Sequence, residues 1–252
     1  MTRLVVASGK GGVGKSVVSV LLASAWAAAG WRALLVDADQ NLANLHVLLG
    51  VRPRGRQEQL LRGLCRAEDL VQPVAERLWL LPGDSGAEAL YALGEAERAR
   101  LHARLTAGWE AYDVVVADSP PGLEGAVRVS ALGADRLIVV ITPEPAALTD
   151  AYALVKTVSQ QLPELPIDIL VNRADDAEDG RVAFEKLALA TERFLRRGVR
   201  HLGSLPEDTA IRGAVRDPRR LLAELAASET ARLVRLEILS RLDLPLVARS
   251  VA

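Results

Sequence analysis

Along the 252 residues, short runs of consecutive apolar side chains alternate with longer segments whose apolar positions recur at helical spacing. The runs are residues 3–7 (RLVVA), 33–37 (ALLVD), 78–82 (LWLLP), 113–118 (DVVVAD), 136–142 (RLIVVIT) and 167–171 (IDILV), and only Asp168 breaks the interior of one. A strand apolar at nearly every position has both faces covered, so the pattern predicts a parallel sheet between layers of helix. Gly30 closes the first helical segment, and the turn at 143–145 opens another that runs through Tyr152 and Lys156. The expected fold is α/β, a doubly wound, mainly parallel sheet with helices on both faces and its ligand at the carboxyl ends of the strands. RADDAEDGR, from Arg173, reads as an exposed loop. No linker divides the chain, so residues 1–252 are expected to form a single domain, with residues 221–252 as a C-terminal helical tail.

Composition narrows the chemistry. Half of the residues are hydrophobic and a quarter charged, as in ordinary globular proteins, and the formal net charge of −1 calls for no anionic partner on global grounds. Cys65 stands alone, which excludes an intrachain disulfide and any cluster or zinc site built from several thiolates of one chain, and fits a reducing cytosol. The early apolar stretch VVSVLLASAWAAAGW is short of the roughly 20 residues of a membrane span and has no basic segment before it.

Residues 9–16, GKGGVGKS, follow the first apolar run and precede the first helical segment, and they fit G-x-x-x-x-G-K-[ST], the pattern of a phosphate loop. Gly11, Gly12 and Gly14, with Val13 among them, let backbone N–H groups close round phosphate oxygens, and the helix start adds its positive end. The pattern predicts that Lys15 reaches the β- and γ-phosphates and that Ser16 holds Mg²⁺. Only four of the 31 basic residues are lysines, and two of the four, Lys10 and Lys15, fall in this loop. A compact, flexible point charge suits crowded phosphate better than a planar guanidinium.

With that early lysine, KGGVGK resembles the deviant Walker A loop of the MinD/ParA family, in which it reaches the nucleotide of the partner subunit. The resemblance runs from Arg3 to about Arg220. Residues 34–50, LLVDADQNLANLHVLLG, are similar to the family's first switch; this makes Asp39 the carboxylate that orients the attacking water, Asp37 a strand-end carboxylate near the metal, and Asn44 a switch asparagine. Residues 114–122, VVVADSPPG, resemble the second switch, with Asp118 the Walker B carboxylate that holds Mg²⁺ through water. LVNRA puts Asn172 where the family reads adenine, and GSLPED puts Pro206 and Asp208 beside the base. Read without the resemblance, a strand-end Asp or Asn serves equally as a cap or turn former. Residues 143–156 and 182–220 are most similar to the FlhG/FleN branch, MinD-like ATPases that control flagellar number and placement.

The resemblance implies a slow ATPase using ATP/ADP and Mg²⁺, an ATP-dependent homodimer that is monomeric with ADP, and a protein partner such as a flagellar GTPase, a transcription regulator or a polar factor. A cytoplasmic place, with peripheral contact at the inner membrane as an option, goes with it. Two other readings stand beside this one. Gln40 and Asn41 replace the usual apolar residue and glycine of the first switch, as a regulatory module that binds ATP without hydrolysis would allow. Arg193, Arg196, Arg197, Arg200, Arg212, Arg216, Arg219 and Arg220 could face DNA, as in a partition ATPase, although a solvated face with packed arginine stems is the preferred reading. The tail ETARLVRLEILSRLDLPLV has the spacing of a membrane-surface helix, but Glu229, Glu237 and Asp243 dilute its basic face and favour a packed terminal helix. Neither membrane nor DNA is the favoured partner. Iron–sulfur relatives need more cysteines, and none of Tyr91, Tyr112 or Tyr152 forms the C-terminal tyrosine tail of the related kinases.

Overall fold

The computed structural model describes residues 1–39, 43–84, 93–123, 133–218 and 220–242. Among them, eight strands form one sheet: β1 (Thr2–Ala7), β2 (Ala33–Asp37), β3 (Gln72–Ala75), β4 (Leu78–Leu81), β5 (Val114–Asp118), β6 (Arg136–Ile141), β7 (Ile167–Ala174) and β8 (Arg200–Pro206). Their order is β3-β4-β2-β5-β1-β6-β7-β8, and every pair is parallel except β3 with β4. All six apolar runs are strands. The two additional ones, β3 and β8, lie at the sheet's edges.

Alternate residues of each central strand serve opposite faces. Leu4, Val6, Leu35, Val114, Val116, Ile138 and Val140 pack under α1 (Lys15–Ala28) and the C-terminal helices. Val5, Ala7, Leu34, Val36, Val115, Leu137 and Val139 pack on the other side, beneath α3 (Gln57–Leu61), α5 (Glu95–Thr106), α6 (Pro145–Gln161) and α7 (Ala177–Leu195). Short helices α2 (Leu45–Leu48) and α4 (Ala67–Leu70) complete the first half. After β8 come α8 (Thr209–Ala214), α9 (Leu221–Ala227) and α10 (Glu229–Leu233), which runs through a π-helical turn at Val234–Ile238 into α11 (Leu239–Arg241). Ala231, Val234, Ile238, Leu239 and Leu242 of this last stretch are buried in the same cluster as α1. The tail from Asp243 onward lies outside the described residues. No helix among the described residues is long and apolar enough to cross a membrane.

Asp168, the one charge inside an apolar run, is buried and accepts from Arg136 at 3.0 Å and from Arg200 Nε at 2.8 Å, so two guanidiniums of neighbouring strands neutralise it. RADDAEDGR is not a loop throughout. Arg173 and Ala174 extend β7, and Asp176 caps α7 by accepting the Asp179 N–H, with Glu178 and Asp179 favouring the helix start.

Candidate nucleotide-binding site

The end of β1 feeds a tight loop into α1. Gly14 is the N-cap of α1 and has φ +89°, a left-handed conformation; a Cβ there would also stand 2.3 Å from Asn172 Nδ2. Only glycine meets both demands. Gly9, the first position of the loop pattern, sits against α6: a Cβ on it would lie 2.2 Å from the Asp150 carbonyl carbon. Gly11, Gly12, Gly14, Lys15 and Ser16 line one cleft together with Ser8, Asp39, Asn44, Val47 and Arg173. Val13 is buried beneath the loop.

Sheet register then brings the carboxylates to the loop. Asp37 and Asp118 end adjacent parallel strands and lie directly level with one another. Lys15 Nζ donates to Asp118 Oδ1 at 2.8 Å, Ser16 Oγ donates to Oδ2 at 2.7 Å, and Ser19 Oγ, one helical turn further, donates to Oδ1 at 2.8 Å. Burial pushes the Asp37 carboxyl up to about 7, with the charge of Asp118 adding to the push, although the N–H groups of Leu45 and Asp39 oppose it. Two adjacent buried carboxylates beside a hydroxyl fit a divalent cation. Among the described residues no group of three or more His, Cys, Asp or Glu forms a metal cage, so protein ligands would be few, as is usual where Mg²⁺ rides with phosphates. Asp39 is buried in the same cleft, with its N–H on Asp37 Oδ1 at 3.2 Å. Gln40 and Asn41 lie outside the described residues.

A second cleft shares Gly14 with the first and continues past Val17, Val18 and Leu21 of α1 to Asn172, Pro206, Asp208 and α8. Asn172 lies within β7 rather than at a turn, and its Nδ2 donates to the Val13 carbonyl at 2.8 Å. Asp208 Oδ1 caps α8 through the N–H groups of Ala210 and Ile211. Lys10 lines neither cleft: its Nζ donates to Glu144 Oε2 at 2.7 Å on an exposed surface at the start of α6. That hydrogen bond and the Lys10 charge hold the Glu144 carboxyl below its ordinary range.

Several neighbours escaped the sequence reading. Arg173 lines both clefts and donates to the Gly12 carbonyl at 3.0 Å, while Ser19, Glu144 and Thr230 partner Asp118, Lys10 and Asp208. Of these, only Ser19 carried a sequence signal, its position one helical turn after Ser16. The arginine-rich region is largely engaged within the chain. Arg197 donates to the carbonyls of Pro163 and Leu165, Arg200 to Asp168, and Arg212 pairs with Glu207. Arg219 lies outside the described residues.

A glycine loop between strand and helix, with a lysine and a serine gathered on a strand-end aspartate, defines a P-loop nucleotide-binding protein. The family model described as an AAA domain matches residues 1–168. Antiactivator FleN of Pseudomonas aeruginosa is 34% identical over 216 residues, covering 86% of this chain and 77% of that protein. The flagellum site-determining protein YlxH of Helicobacter pylori is 30% identical over 227 residues, 90% and 76% of the two chains. The structure of the septum site-determining protein MinD from Pyrococcus horikoshii complexed with Mg-ADP has a TM-score of 0.76 at 26% identity, covering 96% of each chain. The chain belongs to the MinD/ParA family of P-loop ATPases, as the double-lysine loop predicts.

Proposed function

We propose that the chain is a Mg²⁺-dependent ATPase of the switch type, dimeric with ATP and monomeric with ADP, which sets the place or number of a flagellar or division-site assembly through a protein partner. The observation that carries this reading is the meeting of Lys15, Ser16 and Asp118 beneath the glycine loop. The site-determining names of two relatives, the flagellar YlxH and the septal MinD, support the cellular half of it. The reading takes residues 1–252 as one domain with residues 221–252 as its tail, working in the cytoplasm with peripheral contact at the inner membrane as an option.

In this reading the loop N–H groups and Lys15 hold the β- and γ-phosphates, and the second cleft takes the nucleoside, with Asn172, Pro206 and Asp208 beside the base. Ser16 and Asp118 would hold Mg²⁺, with Asp37 behind them; the ion supplies charge neutralisation on the phosphates. Asp39, lining the phosphate cleft, orients the attacking water and accepts its proton. Lys10 serves the other subunit.

Phosphate release from Mg-ATP, with and without Asp39→Ala, tests the enzyme. Activity in the wild type and a loss of about a hundredfold or more in the variant are expected, the size of a general-base contribution. Equal inactivity of both, with anionic vesicles and candidate partners present, would leave an ATP-binding module without hydrolysis.

A further inference from the structure

The base-side cleft has a wall that comes from the far end of the sequence. Val17, Val18 and Leu21 of α1 face the ends of β7 and β8 and the side of α8, and Thr230, in the first turn of α10, lines the same space. Thr230 is 3% exposed, and its hydroxyl donates to Asp208 Oδ2 at 2.9 Å. The other oxygen of that carboxylate, Oδ1, accepts the N–H groups of Ala210 at 3.0 Å and Ile211 at 3.1 Å. One side chain therefore starts α8 and fastens it to the C-terminal helix.

The fastening is specific in chemistry. A hydroxyl buried to this degree needs an acceptor, and a carboxylate makes the stronger kind of hydrogen bond. Among the described residues the rest of the helix makes no such bond to the cleft: Ala231, Val234 and Ile238 pack by apolar contact into the cluster shared with α1. The same α1 begins at the phosphate loop. The docked terminal helix thus touches the nucleotide site twice, through packing on α1 and through Thr230 on Asp208.

We propose that Thr230 is a positioning residue for the nucleoside end of the ligand. By fixing Asp208 it holds α8 and the end of β8 opposite Val17 and Val18, so that a docked C-terminal helix and an occupied base cleft favour one another. The coupling is reciprocal by linkage: whatever the helix adds to nucleoside affinity, the nucleoside adds to helix docking. The inference rests on the reading of the two clefts as one nucleotide site.

Titration calorimetry of the full chain with Mg-ATP and with inorganic tripolyphosphate plus Mg²⁺ separates the nucleoside from the phosphates. Thr230→Val should weaken ATP binding by about five- to tenfold, the worth of one hydrogen bond, and leave tripolyphosphate binding unchanged. Thr230→Ser, which keeps the hydroxyl, should bind ATP as the wild type does. Should the valine variant not fold, hydrogen exchange of the wild type decides: ATP should slow amide exchange across Glu229–Leu233, and tripolyphosphate should not. Undiminished ATP affinity in Thr230→Val, equal weakening of both ligands, or equal protection of the helix by both would overturn the proposal. A wild type that binds neither ligand is a different result, for it removes the nucleotide-site reading itself.

Discussion

Asp37 shows how a single carboxyl carries the balance between folding and ligand. Its pKa stands at about 7 in the fold against 3.8 unperturbed, chiefly because it is buried and next because Asp118 lies level with it. The folded chain therefore keeps a proton that the unfolded chain releases near pH 4. The stability tied to this group is full below about pH 4 and is lost as pH rises to about 7. A cation beside Asp118 favours the ionised form, so stabilisation by Mg²⁺ in saturating ADP should be larger at about pH 8 than at about pH 6. Thermal melts of the wild type and Asp37→Asn at both pH values check this. The variant should show a smaller gap between the two, since the nucleotide's own titration is common to both proteins; an unchanged gap means that Asp37 does not sense the metal.

Among the elements, the last helix depends on one glycine. Gly203 in β8 has φ +152°, and a Cβ on it would come within 2.4 Å of Ile238 Cδ1 in the π-helical turn. The bare backbone there lets the turn close onto the strand. Ile238 is 2% exposed, so Ile238→Ala should cost about 2–4 kcal/mol in urea unfolding. Gly203→Ala should also destabilise, and by less in the Ile238→Ala background, because the atom it meets is then gone. Additive costs would mean that the contact does not limit the position. None of this was readable beforehand, and neither was β8. The strand opens on Arg200, whose guanidinium is taken up by Asp168, and on His201, whose ring stacks on Phe184 at 4.6 Å while its Nε2 lies 3.2 Å from Ser204 Oγ. β3 begins with Gln72 and Pro73 and pairs on one side only. Central strands announce themselves because both faces must be apolar, whereas an edge strand or one with tertiary partners for its polar side chains does not. The site divides in the same way. Lys15 and Ser16 are legible as a contiguous loop and Asp118 as the end of an apolar run. Arg173 and Thr230 join the site only because strand order and helix packing bring distant segments together.

For the molecule as a whole, the question left by the loop is why Lys10 lines neither cleft while Lys15 lies within one. The Lys10 ammonium sits at an exposed pair with Glu144, whose side chains are 31% and 65% exposed, so its hold on the chain is of the weak, screened kind. A charge so placed is free to meet phosphate on a second copy. If it does, ATP should drive dimerisation of a hydrolysis-impaired Asp39→Ala chain, since the ligand then binds the pair more tightly than the single subunit, and ADP should not. Adding Lys10→Ala should return the protein to monomer with ATP still bound, because Lys15 and the loop N–H groups remain in each subunit. Lys10→Arg should also fail, as the planar fork needs more room than an ammonium between facing loops. Sedimentation velocity with ATP reads the outcome directly. A Lys10→Ala, Asp39→Ala chain that dimerises as tightly as its Asp39→Ala parent would leave the first lysine to its surface pair with Glu144, and the dimer, if present, would have to be held by other groups around the clefts.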